Sequence, residues 1–167
     1  MNTIWKSVAV GAAVALVIIG GFFAYRSFFG GSGYVVPPPG GEYVNEVYNF
    51  TVNIPKGFGV GGTERSIVIE DKDGNGLQIV ITPLGEDIPV LTEERIRADI
   101  PDILIEQPQV VTVSGANTGL AFRSNNAAFG GVSREVWFVE DGNLYQIITY
   151  DRLRPLLSAI FGTLKFL

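Results

Sequence analysis

The 167-residue sequence contains no cysteine and no histidine, and these two absences exclude several kinds of chemistry. Without cysteine the chain forms no disulfide bond and no zinc–thiolate site, and it carries no lipid on an N-terminal cysteine. Without histidine it builds neither a Ser-His-Asp nor a Cys-His catalytic system, and no histidine-ligated metal site. Carboxylate-only acid–base chemistry and Ser-Lys dyads stay open. The residue inventory therefore argues against an enzyme before any motif is considered.

Charge is missing from residues 7–25, SVAVGAAVALVIIGGFFAY, which lie between Lys6 and Arg26. A helix of this length spans roughly 28 Å, close to the ~30 Å hydrocarbon core of a bilayer. Cleaved signal peptides have a shorter apolar run that ends in a small-x-small site, and this run has no such ending. The pattern predicts an uncleaved signal anchor that crosses the cell membrane once.

The flanks of this span predict its orientation. The short N-terminal flank carries the free amine and Lys6, so it is expected to stay in the cytoplasm. Residues 1–29 then form the cytoplasmic N-terminus and the anchor, and the chain beyond them lies outside. Ser7, Gly11 and Ala15 form a small-xxx-small stripe that would let two anchors approach in a weak homodimer. Ordinary apolar filler is the simpler interpretation of that stripe.

A spacer and an acidic domain follow the anchor. Residues 30–41, GGSGYVVPPPGG, combine flexible and stiff linker composition. Residues 42–167 hold all 17 acidic residues and ten of the twelve basic ones, since Lys6 and Arg26 precede them. A domain with this excess of negative charge disfavours binding to nucleic acid or to anionic lipid. Its length is sufficient for a core of its own.

The domain shows the patterns of an α+β fold. Residues 48–54 alternate apolar and polar side chains, which is typical of a half-buried strand. Residues 134–139 and 144–150 flank a hairpin turn and are apolar on both faces, so they are expected to be central strands. Further strands are indicated at 66–70, 77–82, 110–113, 119–123 and 163–166.

Two helices complete the pattern. Thr92 is a candidate N-cap for a helix that Pro101 ends, and Pro155 begins a second helix that continues to residue 161. These elements predict an antiparallel sheet with helices on both faces, an α/β/α sandwich.

The order of elements resembles that of the PsbP-like domain family. The resemblance rests on the opening strand with its Tyr48-x-Phe50-x-Val52-x-Ile54-Pro55 pattern. It also rests on the hairpin over 134–147 and on the last helix running into Thr163-Leu164-Lys165-Phe166. It covers about residues 48–167 and implies an α/β/α sandwich around an antiparallel sheet.

The resemblance also implies a kind of function. Photosynthetic members of that family are lumenal subunits that bind photosystem II and help it retain calcium and chloride, and their metal positions involve histidine. This chain has no histidine, so the photosystem role is not carried over. What the resemblance implies is a non-catalytic domain outside the membrane that binds or supports a protein partner.

The loop Asp71-Lys72-Asp73-Gly74-Asn75-Gly76 matches the first half of a calcium-binding loop, D-x-D-x-N-G. Oxygen ligands from Asp71, Asp73 and Asn75 suit a hard cation such as calcium. Position 12 of the complete motif is a bidentate glutamate, and here it is Thr82 inside a predicted strand. An exposed hairpin turn is therefore the simpler interpretation.

Arginines are concentrated in the second half of the domain. Arg123, Arg134, Arg152 and Arg154 form a candidate patch for an anion or for a protein partner. Alternatively, they are solvated strand ends that pair with nearby carboxylates. The carboxylates considered as ion-pair partners are Glu135, Glu140 and Asp151.

Two classes of function fit these residues. The favoured one is an anchored docking domain with no catalytic residues and no cofactor, which binds an unidentified protein at the outer membrane surface. The alternative is a calcium-dependent binding domain, or a hydrolase or lyase that works with carboxylates alone. Asp99 and Asp102, near Arg95 and Arg97, are the carboxylates that such an enzyme would use.

Overall fold

The computed structural model describes residues 41–86, 88–113 and 117–167. The predicted anchor, its Ser7-Gly11-Ala15 stripe and nearly all of the predicted linker lie outside these ranges. Among the described residues, no helix has the length and apolar character needed to cross a membrane.

The described part of the chain contains ten strands, two α-helices and two short 3₁₀ turns. The strands are β1 (Glu42–Asn45), β2 (Phe50–Asn53), β3 (Phe58–Thr63), β4 (Ser66–Asp71), β5 (Gly76–Pro83), β6 (Glu106–Thr112), β7 (Thr118–Ser124), β8 (Ser133–Glu140), β9 (Asn143–Tyr150) and β10 (Lys165–Phe166). The helices are α1 (Glu93–Asp99) and α2 (Arg154–Phe161), and the 3₁₀ turns are Ala127–Phe129 and Asp151–Leu153.

The strands form two antiparallel sheets. The large sheet has the order β3-β4-β5-β9-β8-β7-β6, and the small sheet has the order β1-β2-β10. The β8–β9 hairpin lies near the centre of the large sheet, as its two apolar faces predict. Its turn residues, Asp141 and Gly142, have φ angles of 47° and 68°, the left-handed conformations that a type I′ turn requires.

One face of the large sheet, face A, packs against the small sheet and α2. Phe50 and Val52 of the small sheet and Leu157 and Ile160 of α2 are all at most 3% exposed in this core. The large-sheet residues of the face A core are Val60, Ile67, Ile69, Leu77, Ile79, Ile81, Val136, Phe138, Tyr145 and Ile147.

The other face, face B, packs against α1 and the irregular segments around it. Ile96 of α1 and Phe129 of a 3₁₀ turn are each 2% exposed in this second core. The sheet residues of the face B core are Leu120, Phe122, Trp137, Val139, Leu144 and Ile148. The predicted antiparallel sheet is confirmed, and a small sheet that the sequence patterns did not predict shares face A with α2.

Candidate functional site

Strands β7 and β8 place two arginines side by side. Arg123 and Arg134 are directly opposed in the antiparallel register. Alternation puts both side chains on face A, the face of Ala121 and Val136. Like charges at directly opposed positions destabilise a sheet, because their Cβ atoms are only about 4.5–5.5 Å apart. This pair therefore needs an explanation beyond strand formation.

The chain brings a third arginine to the same place. Strand β9 ends in the 3₁₀ turn that contains Asp151, and α2 begins immediately afterwards with Arg154. Arg154, Asp151 and Arg123 are the charged groups that act on Arg134. We call Arg123, Arg134 and Arg154 the arginine cluster.

Two carboxylates partly balance this charge. Arg123 Nη1 lies 2.5 Å from Glu106 Oε2, and its Nε lies 3.6 Å from Asp151 Oδ2. The second distance is that of an ion pair without a hydrogen bond. The side chains of Arg123, Glu106 and Asp151 are 36–41% exposed, so each ion pair contributes little to stability. Three guanidinium groups therefore face two carboxylates.

Arg134 is the buried member of the cluster. Arg134 is 4% exposed, and its Nη1 has no hydrogen-bond acceptor among the described residues. Burial, and then the charge of Arg154, lower the pKa of the Arg134 guanidinium. Burying a cation whose charge is only partly balanced, here by Asp151, costs free energy. An oxyanion seated beside Nη1 would remove much of that cost, so this position is a candidate anion site.

The fourth predicted arginine lies apart from the cluster. The Arg152 guanidinium stacks over the Tyr150 ring, 4.9 Å from its centroid. Tyr150 packs edge-on against Phe129 in the face B core. The sequence therefore predicted four arginines as one patch, and the structure brings three of them together.

The predicted ion-pair partners differ from those observed. Asp151 does contact an arginine, whereas Glu140 accepts a hydrogen bond from Asn117 at 2.6 Å. Glu106 was missed because it lies across a β-bulge at the start of β6, a strand that the apolar pattern indicated only from Val110. The burial of Arg134 was missed because residue type gives no signal for it.

Glu135 lies on the opposite face from its neighbour Arg134. The Ser133 hydroxyl donates to Oε1 at 2.6 Å, and Trp137 Nε1–H donates to Oε2 at 2.8 Å. Glu135 is 2% exposed. Burial raises the pKa of its carboxyl group, and hydrogen bonds with Ser133, Trp137 and Asn126 oppose that change. The partners of Glu135 are thus neutral side chains, and the expectation that it pairs with an arginine is wrong.

The predicted calcium loop is the turn between β4 and β5. Asp71 Oδ1 accepts hydrogen bonds from the backbone N–H groups of Asp73 and Asn75, both at 2.9 Å. The Asn75 side-chain amide donates to Asp71 Oδ2 at 3.0 Å. The position-12 residue, Thr82, lies near the far end of β5. Within the described ranges, no three acidic side chains lie close enough together to hold a metal ion.

Calcium binding by this loop stays a prediction, and a simple measurement tests it. Because Asp71 already accepts turn hydrogen bonds, we expect a chelator to shift the melting temperature by less than about 2 °C. The measurement is thermal unfolding of the purified chain with and without chelator and with added calcium. A loss of more than about 5 °C in chelator, abolished by Asp73→Asn, would establish the calcium loop instead.

The carboxylates considered for catalysis differ in their surroundings. Asp99 Oδ2 accepts from Arg95 Nε at 3.0 Å, while Asp102 is exposed beyond the end of α1. Asp99 borders a cavity of about 20 Å³ between α1 and Trp137. That volume holds about one water molecule. The cavity that Asp99 borders is therefore too small to hold a substrate.

Comparison with known proteins bears on the fold. No family model matches the sequence, and no curated protein matches it. The structure is similar to the solution structure of cyanobacterial PsbP (CyanoP) from Synechocystis sp. PCC 6803, with a TM-score of 0.53 and 12% sequence identity. The match covers 82% of this chain and 98% of that chain. At this identity the likeness shows the fold, and the predicted resemblance to PsbP-like domains is confirmed.

Proposed function

We propose that this PsbP-like domain is a non-catalytic protein-binding module, tethered outside the cell membrane by residues 7–25. In this proposal the arginine cluster docks onto an acidic segment of a membrane-proximal partner. The observation that carries the proposal is the buried Arg134 guanidinium, which has no acceptor for Nη1 among the described residues and lies beside two further arginines.

The chemistry of arginine favours a carboxylate as the group that is bound. A guanidinium presents its donors in a planar fork that matches the two oxygens of a carboxylate, and such paired hydrogen bonds are among the strongest in proteins. The domain as a whole carries an excess of acidic residues, which repels long polyanions at a distance. A short acidic segment of a protein meets the local positive charge without that penalty.

The spacer sets where the partner would be found. A flexible chain of twelve residues, the length of the segment 30–41, has a root-mean-square span of roughly 20 Å. The domain would therefore stay close to the outer surface of the cell membrane, and the partner is expected there. The pairing of Asp99 with Arg95 beside a cavity of about 20 Å³ supports the non-catalytic part of the proposal.

Photo-crosslinking in native membranes tests this proposal. A photoreactive residue in place of Ser158, exposed one turn after Arg154 on α2, should form an adduct with one protein. Reversing the charge with Arg154→Glu should reduce the adduct by about tenfold or more, because an attractive contact becomes repulsive. Arg134→Met should remove the adduct while preserving or raising stability, since it removes a buried charge that Asp151 balances only in part.

Arg152→Glu is the matched control. It makes the same charge change two residues away, on a side chain that lies on the Tyr150 ring and outside the cluster. Its adduct should stay within about twofold of the wild-type amount. Equal losses in both charge reversals, or no adduct above background, would refute docking through the cluster. Protease added to intact spheroplasts should abolish the adduct, and protection of the domain would contradict its location outside.

A further inference from the structure

The two sheets each leave one strand edge free at the same cleft. Strand β1 pairs only with β2, and β3 pairs only with β4, among the described strands. The cleft between them has a volume of about 390 Å³. Its lining residues are Glu42, Tyr43 and Val44 from β1, and Val60, Gly61, Gly62, Thr63 and Glu64 from β3 and its turn. We call this cleft the strand slot.

The register shows which backbone groups of β3 face the slot. Glu64 and Arg65 form a two-residue turn, so Thr63 and Ser66 are the closing pair of the β3–β4 hairpin. In an antiparallel ladder, alternate residues direct their N–H and C=O groups away from the partner strand. From this closing pair, the outward residues are Val60 and Gly62.

The register of β1 gives the same result on the other side. Ile54 N–H donates to Gly41 C=O at 2.8 Å, which marks these two residues as a hydrogen-bonded pair just before β1. Alternation then directs the backbone groups of Glu42 and Val44 away from β2. The slot is therefore flanked by outward-facing backbone groups on both sides.

The other edge of the large sheet is protected, and β3 is not. Strand β6 carries Pro108 and a bulge between Glu106 and Gln109, which are two devices that prevent further strand pairing. Strand β3 has neither proline nor an interrupted register. Gly61 and Gly62 leave that edge uncovered by side chains. The contrast indicates an edge that accepts a strand.

The charge of the slot indicates the occupant. Two carboxylates, Glu42 and Glu64, belong to its lining, and that lining contains no basic residue. Val44 is 46% exposed at its rim. We propose that the strand slot binds an extended peptide segment of another protein, bearing lysine or arginine, by adding it as a strand to β3 and β1. About four residues of such a segment would span 13 Å along the edge.

This site is independent of the arginine cluster. Strand β3 is one end of the large sheet, whereas β7 and β8 lie towards the opposite end. The charge preference is also opposite, so the two sites select different segments.

Peptides of defined chemistry test the proposal on the purified full chain. A Lys-Val-Lys-Val-Lys-Val peptide should bind and should slow hydrogen exchange at the amides of Val44, Val60 and Gly62. A Glu-Val-Glu-Val-Glu-Val peptide should bind at least about tenfold more weakly, because like charges meet at the rim. The lysine peptide with alternate N-methylated amides should also lose about tenfold, because it cannot complete the ladder.

Two variants separate the backbone and charge contributions. Val44→Pro removes an outward N–H from an edge strand, where proline is tolerated, and should weaken lysine-peptide binding about tenfold. Glu42→Lys should weaken it similarly, while Asp102→Lys, the same charge change on the far side of the domain, should not. Undiminished binding by the N-methylated peptide, or no measurable binding of the lysine peptide, would overturn the proposal.

Two other occupants give distinct results, and each would refute a partner peptide. If the slot is filled by this chain's own linker, the Val60 and Gly62 amides are protected without peptide and lose protection when residues 30–39 are deleted. If it is filled by a second copy of the chain, their protection rises with protein concentration, together with the sedimentation coefficient.

Discussion

Replacing Phe138 with alanine is expected to lower the free energy of unfolding by about 3–5 kcal/mol. Phe138 is fully buried and stacks on Tyr145 with ring centroids 5.0 Å apart. Its ring also packs against Phe161 of α2 and Phe166 of the small sheet, with centroid distances of 6.2 Å and 6.1 Å. One side chain thus joins the large sheet to both elements that cover face A, and its loss leaves a cavity between three elements.

Denaturant unfolding of the purified chain measures this effect. Val110→Ala is the matched control, because Val110 lies on the edge strand β6 and is 73% exposed. That substitution should change the unfolding free energy by less than about 0.5 kcal/mol. A Phe138→Ala loss below about 1.5 kcal/mol would contradict the packing of α2 and the small sheet on this ring.

Replacing Glu135 with glutamine is expected to raise stability at alkaline pH and to leave it nearly unchanged in mild acid. Burial raises the folded-state pKa of Glu135 above its ordinary value of 4.5, so the folded state holds the proton more tightly than the unfolded chain. The wild-type protein is therefore most stable below that ordinary value, and its stability falls as pH rises through the folded pKa. Glutamine resembles the neutral acid and does not titrate.

The difference in unfolding free energy between the two proteins isolates this group. Its expected size is about 1–3 kcal/mol on the alkaline side, the range measured for buried polar groups. Glutamine can accept from Trp137 Nε1–H and donate to Ser133 Oγ, so both contacts survive. Glu135→Ala is the control, because it leaves the Trp137 Nε1–H group without an acceptor and should destabilise the protein at every pH. A pH-independent difference for Glu135→Gln would contradict a raised pKa.

The central hairpin could be predicted from the sequence because its signals are local. Asp141 and Gly142 specify a two-residue turn, and the flanking runs are apolar on both faces. The same holds for α1, whose N-cap Thr92 accepts from Arg95 N–H at 3.3 Å. In each case residues close in sequence determine the element.

The small sheet could not be predicted, because the pairing that joins β10 to it is long-range. Strand β10 consists of two residues, and it pairs with β2 more than a hundred residues earlier. A two-residue strand is defined by the partner strand that it meets, and the sequence does not indicate that partner. Strand β3 of the large sheet was missed for a different reason, since three glycines in its six residues leave no apolar alternation.

The arginine cluster was predicted in part for the same reason. Arginine as a residue type points to anion recognition, and the chain has four arginines after residue 120. Whether they converge depends on cross-strand register, which placed Arg134 opposite Arg123. In the turn after β9, Arg152 lies on the Tyr150 ring, whereas Arg154 lies near Arg134. The free edges at the strand slot likewise follow from sheet order, which no local pattern reveals.

The neighbouring buried charges of β8 also determine how the central hairpin aligns. Because β8 and β9 are apolar on both faces, hydrophobic alternation alone would tolerate a slip by one residue. Such a slip would turn Arg134 towards the face B core, away from Asp151, and would turn Glu135 towards the face A core, away from Asn126. Burying either charge in that way costs several kcal/mol. Arg134 and Glu135 thus weaken the folded state but specify a single alignment of the hairpin. That alignment in turn specifies how the strands of the sheet pair.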